Sequence, residues 1–220
     1  MTRLHSVAGS RSFRVLWLLH ELNIPVEVVP YQIMGPTLHT DAFKALSPAR
    51  RVPVLEYQGQ TWCESGAIVQ LLCEARPEAG LMPAPGSADR GAWLMWLNYA
   101  ETLTAGIQNL NMQHLFITKD QQSVTVMGIE TKRLAIAMKS IEAAVQDRDT
   151  LLPSGFSGAD IMMGFTLEAA FHYVHAEKFP KTVAYMQRLA AREAYRSALH
   201  AEGPQQFYDR DFYPLPEASS

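Results

Sequence analysis

The pattern of apolar and polar positions in the first eighty residues predicts alternating strands and helices. Residues 3–7 form a short strand, and apolar residues at helical spacing follow from Arg14. Asn23 and Pro25 end that helix, because proline lacks an N–H donor and disfavours helix in the residue before it. The β-branched segment 26–33 predicts a second strand. A strand, a helix of about ten residues and a strand favour a right-handed parallel crossover.

A hairpin and another helix follow. The runs "VPVLEY" and "QTWC" read as two strands joined by a turn at Gln58 and Gly59. An apolar stripe over residues 68–75 then predicts a helix. The predicted order is βαβ, a loop with a short helix, and ββα.

Composition shifts once along the chain. Residues 76–91, "RPEAGLMPAPGSADRG", contain three Pro and three Gly, which is typical of a linker or exposed loop. The following part is rich in Ala, Leu and Met and helical in period, starting near Ser87 or Ala88. We therefore expect an α/β domain over residues 1–77, a linker over 78–90 and an all-helical domain over 91–220.

Overall composition narrows the class of protein. The chain is 48% hydrophobic with a formal charge of −3 and no basic cluster, so we expect no nucleic-acid partner. The apolar run from Val15 to Leu19 is too short for a membrane span or a signal segment, so no membrane partner is expected. Cys63 and Cys73 form no CxxC motif and favour a reducing compartment. The expected location is the cytoplasm.

Two local features point to a ligand site. A proline within a strand, Pro53, implies a sheet edge, a bulge or a cis bond. If the bond is cis, the backbone groups of Val52 are free to pair with an extended peptide; otherwise Pro53 is a plain edge-strand proline. Ser65 is predicted as the N-cap of the next helix, where its hydroxyl and the first N–H groups can accept a carboxylate. Glu64 beside it can bind an ammonium, so the pair suits a zwitterionic amino-acid end.

Four segments, in order, resemble the cytosolic glutathione S-transferases: "SRSFRVLWLLHELNIPVEVVPY", "SPARRVPVLE", "ESGAIVQLL" and "FSGADIMMGF". The resemblance implies a thioredoxin-like N-terminal domain, an all-α C-terminal helical bundle and a homodimer. It also implies that Glu64 and Ser65 bind the γ-glutamyl end of glutathione. It implies further that the backbone of Val52, ahead of a cis Pro53, pairs with the cysteinyl amide.

The glycine carboxylate of glutathione needs a cation nearby. Arg50 and Arg51 precede Val52, where the family often has "GKVP", so Arg50 departs from the common glycine. His39, in the preceding loop, is a further candidate. The alternative for both arginines is a solvated surface pair.

Activation of the thiol is the chemistry that the resemblance implies. A hydroxyl and a helix N-terminus can both stabilise a thiolate. The segment "AGSRSFR", between the first strand and the first helix, places serine hydroxyls beside the N-terminus of that helix. Ser10 matches the catalytic serine of serine-type classes, and Ser12 matches the second serine of the isomerase-like class. One of them can instead be the helix N-cap, and Ser12 is the expected one. The loop contains no Tyr or Cys, and Arg11 replaces the Cys of the isomerase-like class.

The resemblance therefore implies a detoxifying enzyme that uses glutathione as co-substrate and attacks a small hydrophobic electrophile. Two alternatives stay open: a glutathione-dependent peroxidase or disulfide reductase, and a non-catalytic binding protein on the same fold. The resemblance also implies an electrophile pocket, which we expect at Tyr99, Leu103, Ile107 and His114; the alternatives for these positions are the plain core and a dimer contact.

Other chemically suggestive residues have structural interpretations. Ser157 and Asp160 form a capping box, which accounts for the aspartate as a helix determinant. His172 and His175 lack a third ligand, so no metal site is expected. Both cysteines are interpreted as small apolar side chains. The aromatic tail is expected to pack on the helical domain through Phe207, Tyr208, Phe212 and Tyr213.

Overall fold

The structure is a computed structural model that describes residues 1–216. Within these residues it contains one four-stranded sheet and eight α-helices. The strands are β1 (Arg3–Val7), β2 (Glu27–Tyr31), β3 (Val54–Tyr57) and β4 (Gln60–Cys63). The helices are α1 (Ser12–Glu21), α2 (Asp41–Leu46), α3 (Ser65–Ala75), α4 (Arg90–Asn111), α5 (Val124–Ala144), α6 (Gly158–Phe171), α7 (Pro180–Ala190) and α8 (Glu193–Glu202). The α/β thioredoxin-like part and the helical part confirm the predicted fold class.

The sheet has the order β2-β1-β3-β4, with β1 parallel to β2 and β3 antiparallel to both of its neighbours. The predicted βαβ crossover and ββ hairpin are therefore confirmed. Gln58 and Gly59 both have positive φ, 51° and 78°, as the tightest hairpin turns require. Strand β3 begins at Val54, so the prediction that Pro53 lies inside a strand was wrong: it lies immediately before one.

Helix α1 is the centre of the α/β part. Its residues from Ser12 to Leu19 are all buried, and it contacts β1, α3 and α8. Helix α2 covers the face of the sheet that carries His5, since the Phe43 ring lies 6.4 Å from the His5 ring and 4.9 Å from that of Tyr31. Leu4, the neighbour of His5, points to the other face because side chains alternate along a strand.

The described chain forms two compact units whose boundaries differ from those expected. The first unit combines Met1–Arg90 with Ala190–Phe207, and the second comprises Gly91–Leu189 and the residues from Tyr208 onward. Helix α8 thus groups with the α/β unit rather than with the helical domain. The predicted boundaries treat each domain as one continuous segment. The sequence pattern does not show that residues 190–207 return to the first unit.

Specific contacts hold α8 on α1. The Tyr195 ring meets the rings of Phe13 and Trp17 edge-on, with centroids 5.1 and 5.0 Å away. The Arg192 guanidinium donates two hydrogen bonds to the Glu21 carboxylate, of 2.6 and 2.8 Å. A buried aromatic cluster and a paired charge therefore complete the first unit.

The second unit is helical, and it contains the predicted capping box. Ser157 is the N-cap of α6: its side chain accepts from backbone N–H groups, and the Asp160 carboxylate accepts from Ser157 N–H. Asp160 is fully buried and also accepts from Leu151 N–H and Tyr185 O–H. The structural interpretation of Asp160 is confirmed.

The aromatic tail packs on this unit as predicted for three of its four rings. Tyr208 stacks on His172 at 3.8 Å, and Phe212 lies 4.5 Å from His175. Tyr213 donates its N–H to the His172 carbonyl at 2.8 Å. Phe207 is the exception, because it belongs to the first unit and packs beside Gly9. The two histidines hold the tail, and no group of three potential metal ligands occurs among residues 1–216.

None of the helices within residues 1–216 has the length and apolar character needed to cross a membrane.

Candidate functional site

A cleft of about 210 Å³ opens in the first unit, at the N-terminal end of α3. It combines the loop before β3, the junction between β4 and α3, and the residue before α1. The lining residues are Arg11, Ser47, Pro48, Ala49, Arg51, Val52, Pro53, Cys63, Glu64 and Ser65.

The wall before β3 presents backbone groups to the cleft. The Val52–Pro53 bond is cis, as the resemblance implies. Neither the N–H nor the C=O of Val52 has a hydrogen-bond partner within residues 1–216. The loop is held from behind, because Ser47 Oγ donates to Arg51 C=O at 2.9 Å and accepts from Arg51 N–H at 3.1 Å. An extended ligand therefore finds a fixed pair of backbone groups.

The opposite wall is the start of α3, and here the predicted cap was wrong by one residue. Glu64 is the N-cap and Ser65 is the first helical residue. Glu64 has φ of +68°, in the left-handed region that favours glycine, and its side chain makes no capping hydrogen bond. The exposed carboxylate is thus available at the cleft, and the first N–H groups of α3 lie beside it.

Ser65 is positioned by a residue that sequence reasoning did not assign. Its hydroxyl accepts a 2.9 Å hydrogen bond from Arg14 Nη1, and Arg14 is 0% exposed. A buried cation behind the α3 N-terminus favours an anion bound there. The sequence did contain a signal for this role, because Arg14 lies within an otherwise apolar helical stripe.

The two candidate thiol-activating serines form a pair. Ser10 Oγ lies 2.9 Å from Ser12 Oγ and also accepts from Ser12 N–H at 3.2 Å. Ser12 is the first residue of α1 and is 0% exposed, so the expectation that Ser12 caps the helix was wrong. The local capping contact comes from the Ser10 hydroxyl. Neither serine lines the cleft.

The loop that carries Ser10 is held by the returning segment of the first unit. Gln206 N–H donates to Ala8 C=O at 3.1 Å. Gly9 has φ of +81°, and a Cβ there would lie 2.7 Å from the Gln205 Cβ. Only glycine fits this close approach, so the position of the serine loop depends on residues almost two hundred positions away.

The three candidate cations occupy different places. Arg51 lines the cleft, whereas Arg50 is exposed and does not. Arg50 has φ of +53°, which explains physically why the family often has glycine there. His39 ends a short 3₁₀ turn over Pro36–His39, is exposed and does not line the cleft.

The four residues expected at an electrophile pocket all lie on the second unit. Leu103 and Ile107 are buried on α4, and Tyr99 O–H donates to Ala137 C=O at 3.3 Å. His114 lies 5.3 Å from the Tyr173 ring, and burial followed by the charge of Arg210 lowers its pKa. These contacts are those of core residues and of the aromatic cluster under the tail.

The two cysteines differ. Cys73 is buried, and burial raises its thiol pKa to about 12, which suits an inert apolar side chain. Cys63 lines the cleft, with Sγ 3.5 Å from Leu46 C=O.

The chain is similar to known proteins in its N-terminal domain and over most of its length. Residues 4–80 match the family described as glutathione S-transferase, N-terminal domain. The chain is 24% identical to glutathione S-transferase 1 of Saccharomyces cerevisiae, over 89% of this chain and 93% of the relative. It is 29% identical to glutathione S-transferase GstA of Escherichia coli O157:H7, over 74% and 79%. A solved sphingomonad glutathione S-transferase complexed with glutathione matches with a TM-score of 0.78 at 26% identity, over 91% of this chain and 98% of that one.

Residues 4–80 thus match the glutathione S-transferase N-terminal domain, and the chain is similar to named glutathione S-transferases over most of its length. Every cleft-lining residue, from Arg11 to Ser65, falls within the segment 4–80 that matches the glutathione S-transferase N-terminal domain. The family match and the cleft therefore concern the same part of the molecule.

Proposed function

We propose that the protein is a glutathione S-transferase, which binds glutathione in the cleft and activates its thiol for attack on a small hydrophobic electrophile. The observation that carries the proposal is that Val52–Pro53 and Glu64–Ser65, about a dozen residues apart, line one cleft with Arg51. Glutathione, γ-Glu-Cys-Gly, needs three contacts: a backbone N–H and C=O that pair with its own backbone, an anion site with an adjacent carboxylate, and a cation.

Each part of glutathione has a partner in this arrangement. The α-carboxylate binds at Ser65 and the α3 N-terminus, and the α-ammonium binds the Glu64 carboxylate. The cysteinyl amide pairs with the backbone of Val52. Arg51 binds the glycine carboxylate, and Arg50 and His39 are second candidates for that contact.

Thiol activation requires stabilisation of the anion. Lowering a thiol pKa from about 8.5 by two units takes roughly 2.7 kcal/mol. The hydroxyl donor in the proposal is Ser10, with Ser12 second. Ser10 Oγ donates to Ser12 Oγ at 2.9 Å, so in the proposed step the Ser10 proton turns from Ser12 to the sulfur.

The same proposal includes location, assembly and the electrophile site. The protein is a cytoplasmic, homodimeric detoxification enzyme, and its electrophile binds near Tyr99, Leu103, Ile107 and His114. The homodimer is supported by exposed apolar side chains on one helix, α5, where Ile129 is 46% and Ile136 is 64% exposed. Light scattering of wild type and Ile136→Glu tests it. A monomeric wild type would contradict the homodimer.

Binding and turnover are tested separately. Calorimetry with glutathione should give binding that Glu64→Gln weakens by about tenfold or more, because a charge-assisted hydrogen bond is lost. Glu74→Gln, which alters an exposed glutamate away from the cleft, is the matched control. If calorimetry with wild type shows no heat of binding, glutathione binding is refuted, and the protein shares only the fold of the glutathione S-transferases.

Turnover is measured with an aryl halide, an organic hydroperoxide and a mixed disulfide in parallel. The aryl halide should be the best co-substrate. Preference for the hydroperoxide or the disulfide would favour the peroxidase or reductase alternative, and binding without any turnover would favour a non-catalytic protein.

A further inference from the structure

We propose that Arg11 is a catalytic residue, whose guanidinium contacts the glutathione sulfur and stabilises the thiolate. This inference rests on the proposed function, since it assumes that glutathione occupies the cleft. It adds a cationic side chain to a reaction for which the sequence predicted serine hydroxyls and a helix N-terminus.

The first argument is position. Arg11 is half-buried and lines the cleft together with Val52, Pro53 and Glu64, whereas Ser10 and Ser12 do not line it. Arg11 is also the residue immediately before the first residue of α1. It is therefore the only residue of the β1–α1 loop, within residues 8–11, that lines the cleft.

The second argument concerns the serine protons. The Ser10 hydroxyl lies within hydrogen-bond distance of Ser12 Oγ and caps Ser12 N–H, and Ser12 is 0% exposed. One hydroxyl proton is used within the pair, so the pair offers at most one donor to a ligand. A single neutral donor stabilises an anion less than a full positive charge does.

The third argument is electrostatic. An opposite charge within about 4–6 Å lowers the pKa of an acid by about one to three units. Arginine keeps its charge at any pH at which a thiol ionises, and the positive end of α1 acts in the same direction. Arg11 is thus suited to hold a thiolate through the physiological range.

The proton balance is simple. The thiol S–H bond breaks, the proton passes to solvent, and both electrons stay on sulfur. Arg11 is charged before and after the step, so it neither accepts nor supplies a proton. It forms no covalent bond and only an ion-paired hydrogen bond with the sulfur.

Arg11 and Arg51 both line the cleft, and their roles separate in experiment. A cation that binds the glycine carboxylate acts on any ligand with that carboxylate, including S-methylglutathione. A cation that binds the thiolate acts only where a thiol ionises. Arg51→Gln should therefore weaken S-methylglutathione binding, whereas Arg11→Gln should leave it within about twofold.

The decisive measurement is the ultraviolet absorbance of enzyme-bound glutathione thiolate as a function of pH. Wild type, Arg11→Gln, Arg11→Lys and the control Arg76→Gln are compared at saturating glutathione; Arg76 is exposed and lies outside the cleft. Arg11→Gln should raise the thiol pKa by about one unit or more, a tenfold loss of thiolate below the pKa. Arg11→Lys should restore part of the shift, and Arg76→Gln should match wild type.

The outcomes distinguish this inference from the proposed function. If wild type does not bind glutathione or does not lower its thiol pKa, the proposed function fails. If wild type lowers the pKa and Arg11→Gln does so equally, the assignment of Arg11 is overturned. Equal loss of S-methylglutathione and glutathione affinity in Arg11→Gln would also overturn it, because the arginine would then bind a carboxylate. Should Arg11→Gln fold poorly, the same criteria apply to Arg11→Met.

Discussion

Removal of the Asp160 carboxylate should be among the most destabilising single changes in the second unit. The side chain is fully buried, and its two oxygens accept hydrogen bonds from Leu151 N–H, Tyr185 O–H, and the N–H and Oγ–H of Ser157. Those bonds join the N-terminus of α6 to the preceding loop and to α7. Asp160→Ala leaves all of these buried donors without their acceptor.

The magnitude follows from the partners. Loss of the capping interaction costs about 1 kcal/mol. The Leu151 N–H and the Tyr185 O–H each lose their acceptor in a buried place, at about 1–3 kcal/mol apiece. The total is on the order of 4 kcal/mol, a large part of the 5–15 kcal/mol that holds a typical domain folded.

Urea unfolding followed by tryptophan fluorescence measures the loss. Ser157→Ala, which removes the capping hydroxyl only, should cost about 1 kcal/mol, and Tyr185→Phe about 1–2 kcal/mol. In a double-mutant cycle, Asp160→Ala and Tyr185→Phe should be non-additive by about 1 kcal/mol or more, because they share one hydrogen bond. A loss below about 1.5 kcal/mol for Asp160→Ala, or strict additivity, would refute the reasoning.

Three further changes test other parts of the structure. Burial raises the pKa of Glu142, but hydrogen bonds from Thr182 and Lys181 lower it overall. Wild type should therefore lose stability as the pH falls below about 4.5, the ordinary value, and Glu142→Gln should lack that loss in melting-temperature scans. Tyr195→Ala should cost about 3–4 kcal/mol in urea and make α8 sensitive to proteolysis. Arg50→Gly should raise the unfolding free energy by about 0.5–1 kcal/mol, because a left-handed residue is relieved; an unchanged or lower value would contradict the strain.

Local signals in the sequence predicted most strands and helices of the first unit and part of the candidate site. Asn23 with Pro25, and Gln58 with Gly59, stop elements by their own backbone preferences, so the strands and the hairpin could be placed without knowledge of distant residues. The capping box at Ser157 is equally local. Such features depend on neighbours within a few positions, which a single sequence displays directly.

The errors came from partners far apart in the chain. Nothing in the periodicity of α1 indicates that Arg14 donates to Ser65, or that Tyr195 returns to cover Trp17. The choice between Glu64 and Ser65 as helix cap depended on a backbone angle of +68° that side-chain preference alone does not reveal. Contacts between residues far apart in the chain determine these features, and a single sequence considered alone does not show such contacts.

The return of residues 190–207 to the first unit has a consequence for synthesis on the ribosome. Domains usually fold as units, the N-terminal one first, while the chain emerges at about 5–20 residues per second. Here Met1–Arg90 has left the exit tunnel long before α8 arrives, a delay on the order of ten seconds. During that interval Tyr195 is not yet available to cover the rings of Phe13 and Trp17, so part of this aromatic surface faces water until α8 has been synthesised.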